Sequence, residues 1–310
     1  MIKLSERQQA RTRQYIELYG RNLDSRLYEF HFQNGDRERV LEALSAYQNT
    51  DGGFGHALEP DMRTPASSVI TTSLGLLLLK EIGATFAEPI VQAAIEYLFS
   101  NYDRVNDVWP IVPPQVEDAP HAPWWNYNDS AQNFSDFLAN PRACIIGHLY
   151  QYKELVPADF LEQATRSLLE YLEQNSPTSL SMHDLLCFLN LAEADNLPSQ
   201  DREQILAKLA AAVREMVNLS PESWSSYGLQ PLDVAPRPDS PLRAALEERA
   251  IEANLDYQIK RQLADGSWPL TWSWADVDPV SWSAAEREWK ANLALNNLKV
   301  FRAYGRLAES

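Results

Sequence analysis

Apolar residues along this chain recur at three- and four-residue spacing, and almost nowhere in strict alternation. That period predicts helices rather than strands. Residues 5–33 read as one or two helices, with Tyr15, Leu18, Tyr19 and Leu23 on one stripe. Asn34-Gly35-Asp36 interrupts them, and a helix follows over about 37–48 with Val40, Leu41, Leu44 and Tyr47 facing inward. The next helix, about 67–82, is apolar nearly all round (Leu74, Leu76, Leu77, Leu78, Leu79), which predicts burial on most sides. Beyond it, amphipathic and more buried segments alternate: 89–102 amphipathic, 141–154 buried, 158–174 amphipathic, 180–193 buried, 200–217 amphipathic. Helices over 242–263 and 283–307 complete the series. Paired helices in this order predict stacked helical hairpins, five to six in number, within one domain. Residues 1–35 form a helical lead-in, and 103–140 and 219–241 are long proline- and aromatic-rich loops.

Two turns punctuate this pattern and resemble one another. Gln48-Asn49-Thr50-Asp51-Gly52-Gly53-Phe54-Gly55 and Gln262-Leu263-Ala264-Asp265-Gly266-Ser267-Trp268 both spell Gln-x-x-Asp-Gly-small-aromatic behind a helical segment. Glycine there takes a left-handed conformation at a helix end without steric penalty. The first copy, followed by Thr71-Thr72-x-x-Gly75-Leu76, resembles the repeat of protein prenyltransferase β-subunits and squalene–hopene-type cyclases. The second is similar to the Gln–Trp motif of those cyclases. The resemblance implies an all-α fold, an α/α toroid with inner and outer helix rings around a central cavity. It implies an isoprenoid transferase or cyclase as the enzyme class, with a small apolar molecule held in the cavity. The motifs themselves are expected to act as structural joints, the glutamine amide serving helix-end groups and the aromatic packing between hairpins.

Composition narrows the partners. A net charge of −16 argues against nucleic acid or an anionic membrane surface. The leucine run Leu76–Leu79 is far too short to span a bilayer, and the N-terminal residues do not read as a signal peptide. Two cysteines suit a reducing compartment, so a cytoplasmic location is expected.

Four groups of residues carry candidate chemistry. His56, Glu59, Asp61 and Arg63 place four ionisable groups within eight residues of an irregular loop, directly after the double-glycine turn. His56, Glu59 and Asp61 are the candidates for acid–base work and Arg63 for ligand binding. Trp124, Trp125, Tyr127, Trp272 and Trp274 are candidate walls for a flat ligand, a prenyl chain or a sugar face. Asp276-Val277-Asp278-Pro279 approximates the Asp-x-Asp-Asp acid motif of the cyclases but lacks its last aspartate, and no Asp-Asp-x-x-Asp diphosphate signature occurs. Finally, Cys144-x-x-x-His148 and His183-x-x-x-Cys187 each put two soft ligands one helical turn apart, which makes a zinc site conceivable. A carbohydrate-active toroid using Asp51, Glu59 and Asp61 with Trp124 and Trp125 is the alternative enzyme reading. A non-catalytic ring is the third.

Overall fold

A computed structural model describes residues 1–127 and 138–309. Positions 128–137, part of the long loop expected at 103–140, lie outside the described residues. Among the described residues there are twelve α-helices and no β-strand, only isolated bridges. The all-α expectation therefore holds. The helices group into two compact units, residues 44–212 and residues 1–43 with 213–310.

In the unit of residues 44–212, three buried helices lie side by side: α4 (Val69–Glu81), α6 (Arg142–Gln151) and α8 (Met182–Ala192). Two hydrogen bonds fix the relative direction of α6 and α8. Asn140 N donates to Asp184 Oδ1 at 3.1 Å near both N-termini, and Gln151 Nε2, at the C-terminus of α6, donates at 3.3 Å to Asp195 Oδ2, just past the C-terminus of α8. The two helices therefore run parallel. Between those ties, a Cβ at Gly147 would stand 3.1 Å from Leu191 Cα, so the missing side chain lets the backbones approach closely. The C-terminus of α4 joins the same end, where Lys80 Nζ donates to Glu193 O at 3.1 Å.

Helix α5 (Pro89–Ser100) packs on α4 and α7 (Ala158–Gln174) packs on α6. Helix α7 buries Phe160, Leu161, Ala164, Thr165, Leu168, Leu169 and Leu172, the single stripe its period predicts. Helix α9 (Ser199–Met216) follows. At the foot of α6, Arg142 is almost fully buried and ion-paired with Asp107 at 2.5 Å, which ties the 103–108 turn to the helix.

In the other unit, α1 (Glu6–Tyr19) packs on α2 (Asn22–Phe32) and on the long α12 (Pro279–Ala303), which also contacts α2; the short α10 (Pro231–Val234) packs on α11 (Glu248–Lys260). Helix α3 (Arg37–Ser45) leads toward the first glycine turn, burying Val40 and Leu44. The two chain ends meet here. Leu4 N donates to Arg306 O at 2.7 Å and Ala308 N to Leu4 O at 2.9 Å. The Arg306 guanidinium, wholly buried, is neutralised by Glu252 and by Asp256 at 2.7 Å. Two acids face this one buried cation, so removing one leaves the other, and removing both would strand it.

Three expected details differ. Leu18 and Tyr19 are 64% and 50% exposed rather than on the buried stripe. The chain turns at Gly20, so the stripe is split: α1 buries Thr12, Tyr15 and Ile16, and α2 starts a new face with Leu23 and Leu27. The segment 242–263 is not one helix, because Leu246 and Glu247 are extended and separate a short 3₁₀ turn from α11. Helix α12 begins four residues before the expected start. Asp278 caps it by accepting from the amides of Val280 and Ser281 at 3.0 Å each, with Pro279 at the first position. Trp282 is thus helical, not a loop residue.

Candidate functional site

The first glycine turn positions the loop that carries the charged residues. Gly52 has φ +87°, and a Cβ there would lie 2.3 Å from Ala93 O of α5. Gln48 Nε2 donates to Gly52 O and to Ile90 O, both at 2.9 Å. Asp51 Oδ1 accepts from Gly53 N at 3.0 Å and from the Ser67 hydroxyl at 2.7 Å. Phe54 is wholly buried, its amide bonded to Thr72 Oγ1 at 2.9 Å. Its ring occupies the space a side chain at Gly75 would need. The motif is a joint between α4 and α5.

Beyond the joint the backbone bends sharply. His56 and Ala57 are both left-handed, at φ 55° and 59°. Such non-glycine conformations each store about 1–3 kcal/mol and persist only where surrounding contacts hold them. Here His56 N donates to Thr64 O at 3.1 Å and Leu58, wholly buried, anchors the bend. The bend sends His56 outward and the following residues inward. His56 is exposed, its Nε2 2.8 Å from Asn49 Oδ1. Glu59 and Asp61 are buried, at 8% and 2% exposure, and Arg63 is half-buried.

A second segment closes over this loop. Ala122 N donates to Asp61 O at 2.8 Å and Arg63 N to Pro120 O at 3.0 Å, with Met62 bridged antiparallel to His121. Thr64 Oγ1 reaches Gln115 O at 3.2 Å. Beneath the pairing, Met62 sits in a small apolar cluster with Ile111, Val112 and Val116, against which Ile70, Trp125 and Tyr127 pack. Trp124 is 45% exposed. Trp125 Nε1 is buried and finds no acceptor among the described residues.

His121 belongs to this group, although its number and role are not evident from spacing. Its Nδ1 lies 2.7 Å from Ala119 O, a pure acceptor, so Nδ1 carries a proton. Nε2 lies 2.9 Å from the Asn126 amide and 3.9 Å from Glu117 Oε1. A neutral ring is served by the amide turned to present its NH₂, whereas a protonated ring donates to Asn126 Oδ1 and faces the Glu117 carboxylate. Glu117 also accepts from Tyr127 N at 2.6 Å. The paired loops thus gather carboxylates, one guanidinium, one imidazole and three aromatic rings.

The remaining candidate residues are distributed otherwise. His148 is turned to Ser73, Nε2 to Oγ 3.1 Å, and is 1% exposed. Burial, aided by the positive charge of Lys80, pushes its pKa down to about 3, so the ring is neutral and enclosed. Cys187 is buried in contact with Cys144, and its thiol donates to Asn140 Oδ1 at 3.4 Å. The hydrogen bond with Cys144, then burial, raises its pKa well above the ordinary thiol value. His183 lies in the first turn of α8. Among the described residues no three His, Cys, Asp or Glu side chains converge as a metal-ligand group, so Cys144, His148, His183 and Cys187 are not assembled as a zinc site. The reason is rotational: His148 faces α4 while Cys144 faces α8.

In the other unit, Trp274 is buried edge-on to Trp282 at 5.8 Å, a packing role. Trp272 is half-buried, edge-on to Trp289 at 5.4 Å and to Tyr227 at 6.3 Å. Asp276 is exposed. Asp278 is the α12 cap, its pKa lowered by the hydrogen bonds from Ser281 and Val280. A cap held as a carboxylate is a poor proton donor, which opposes the acid role expected for this motif. Asp233, unforeseen in the sequence, accepts from Gln230 N at 2.7 Å and is pushed up to about 6 by the protein mass around it, although its residue keeps exposed surface. A groove of about 440 Å³ is lined by Glu162, Arg166, Glu170 and Asp201 among others, and none of the candidate residues lines it.

The sequence matches no protein-family model and no curated protein.

Proposed function

We propose that the paired loops 56–64 and 115–127 form the ligand site, and that the ligand is a small polyhydroxylated molecule of carbohydrate type. The observation that carries this is the direct pairing of the Asp61 loop with the segment leading into Trp124 and Trp125. Buried carboxylates beside flat rings suit a sugar: rings stack on its apolar faces, and carboxylates accept from its hydroxyls. Glu59, Asp61 and His121 are then the acid–base groups, and Arg63 and Trp124 the binding groups. His56 drops out of the chemical set, because its bend turns it to Asn49.

A second reading, an isoprenoid ligand in a prenyltransferase- or cyclase-like α/α toroid, rests on the two motif copies. The aromatic rings serve either ligand. The two are separated by titrating the purified protein with an oligosaccharide panel and, in parallel, with farnesyl diphosphate, geranylgeranyl diphosphate and squalene, followed by tryptophan fluorescence. The carbohydrate reading expects saturable binding of a sugar that falls at least tenfold in Asp61→Asn and in Trp124→Ala, with His56→Ala unaffected. Binding of an isoprenoid alone, insensitive to Asp61→Asn, would replace it by the second reading.

A further inference from the structure

The described chain contains two cysteines, and the fold brings them together. They come from separate helices, forty-three positions apart in sequence. Helices α6 and α8 run parallel with a constant register: Asn140 meets Asp184, Gly147 meets Leu191 and Gln151 meets Asp195. Cys144 and Cys187 lie one residue out of that register, both between the Asn140–Asp184 and Gly147–Leu191 ties. Cys187 Sγ reaches Asn140 Oδ1 at 3.4 Å, one turn before Cys144, and its thiol is also hydrogen-bonded with Cys144. Gly147 is what makes the approach close. With a 3.1 Å separation between its would-be Cβ and Leu191 Cα, the two backbones approach closely one turn from the cysteines, in the direction that the short Cα separation of a disulfide requires. The two thiols also differ in access. Cys144 is partly exposed, whereas Cys187 is 7% exposed and held on Asn140 Oδ1.

We propose that Cys144 and Cys187 form a modification site: a dithiol that a small-molecule disulfide converts to a Cys144–Cys187 disulfide bridging α6 and α8. The accessible Cys144 thiolate attacks one sulfur of an oxidant such as oxidised glutathione and expels one glutathione thiolate. Cys187 then loses its proton to solvent, and its sulfur attacks the Cys144 sulfur of the mixed disulfide and expels the second thiolate. Two protein thiols are oxidised, one glutathione disulfide is reduced to two thiols, and no other reagent is consumed.

The test uses the native full chain with excess oxidised glutathione, read by intact mass and by a non-reducing peptide map. The expected product has lost two hydrogen atoms and shows one peptide pair, 144 joined to 187, restored by dithiothreitol. A persistent glutathione adduct on Cys144 with Cys187 still a thiol would overturn the proposal. So would an intermolecular dimer, or no oxidation of the folded chain. Cys187→Ala, checked for native helicity by circular dichroism, is expected to stop at the mixed disulfide on Cys144. Should that variant fail to fold, the wild-type peptide map alone decides.

Discussion

The two Gln-x-x-Asp-Gly turns make the same joint but serve different loops. In both, the glutamine amide donates to the carbonyl of its own glycine and to a carbonyl of a neighbouring helix, Ile90 for Gln48 and Gln8 for Gln262. In both, the aspartate Oδ1 accepts the amide two residues on at 3.0 Å. Both glycines are left-handed, and a Cβ on either would press to 2.3 Å against a helix backbone, Ala93 or Arg11. Both aromatics are buried, Phe54 fully and Trp268 to 1% exposure. The downstream segments diverge. After the first copy, two strained residues turn the chain so that Glu59 and Asp61 are buried beside a second loop. After the second copy, Trp274 and Trp282 pack and Asp278 caps a helix. A shared motif thus marks shared construction, and the chemistry is decided by the ten residues after it.

The largest expected effect tests whether the joints are equivalent. Phe54→Ala and Trp268→Ala should each destabilise by about 3–5 kcal/mol, the usual range for deleting a buried aromatic. Trp268 also loses its 2.7 Å bond from Nε1 to Gln258 O, so it should be the costlier. Urea unfolding measures both, and a near-neutral result at either position would mean that copy is not a joint.

Next come the glycines. Gly52→Ala and Gly266→Ala combine a left-handed backbone with a collision against helix backbone, and about 3 kcal/mol is expected for each. Gly83 is the control. Its φ is +72° but nothing lies within 4 Å of a Cβ, so Gly83→Ala should cost only about 1 kcal/mol. Equal losses at all three sites would show that strain alone matters and that the docking against α5 and α1 does not.

Acid separates the helices that follow the two copies. Helix α4, after the first, is propped by Ser73 on a neutral His148 whose folded pKa is about 3. The unfolded histidine takes a proton near 6.5, so the unfolded chain gains protons first as pH falls. This contribution is complete above about pH 6.5 and is lost downward until the folded ring itself protonates. Between pH 6.5 and 5 the loss is about 2 kcal/mol, at 1.36 kcal/mol per unit. His148→Gln should flatten that part of the stability profile. Helix α12, after the second copy, depends instead on ionised Asp278, whose lowered pKa keeps the cap intact until the pH falls through that value, below 3.8. Acid should therefore weaken the α4 prop first.

The sequence pattern carried the helices because each buried stripe is local, and it carried the joints because glycine, aspartate and glutamine act within a few residues of one another. The site was legible by half. Glu59 and Asp61 stood out as charges in an irregular loop, but nothing local says that His56 and Ala57 adopt left-handed geometry and turn the histidine away. His121 and Asn126 were invisible as site residues, since His121 meets the Asp61 loop through backbone pairing about sixty positions on and Asn126 joins it only through the His121 ring. The zinc spacing misled for a related reason. One-turn spacing puts Cys144 and His148 near one face of α6, yet α4 and α8 divide that face between them, and each residue has a different neighbour.

The smallest effect distinguishes the copies most finely. Deleting the amide in Gln48→Ala removes the side-chain donor to Gly52 O and to Ile90 O. In the second copy Thr12 duplicates part of the work: its hydroxyl is 3.0 Å from Gly266 O and 3.1 Å from Gln8 O, the two carbonyls that Gln262 also serves. A carbonyl that keeps one donor loses little when another is removed, whereas one left bare bears its own desolvation. Gln48→Ala should therefore cost about 2 kcal/mol and Gln262→Ala about 1 kcal/mol. Adding Thr12→Val to Gln262→Ala should destabilise by more than the sum of the two single changes, since each covers for the other. Strict additivity, or a larger loss at Gln262 than at Gln48, would show that the Thr12 hydroxyl does not back up the second joint.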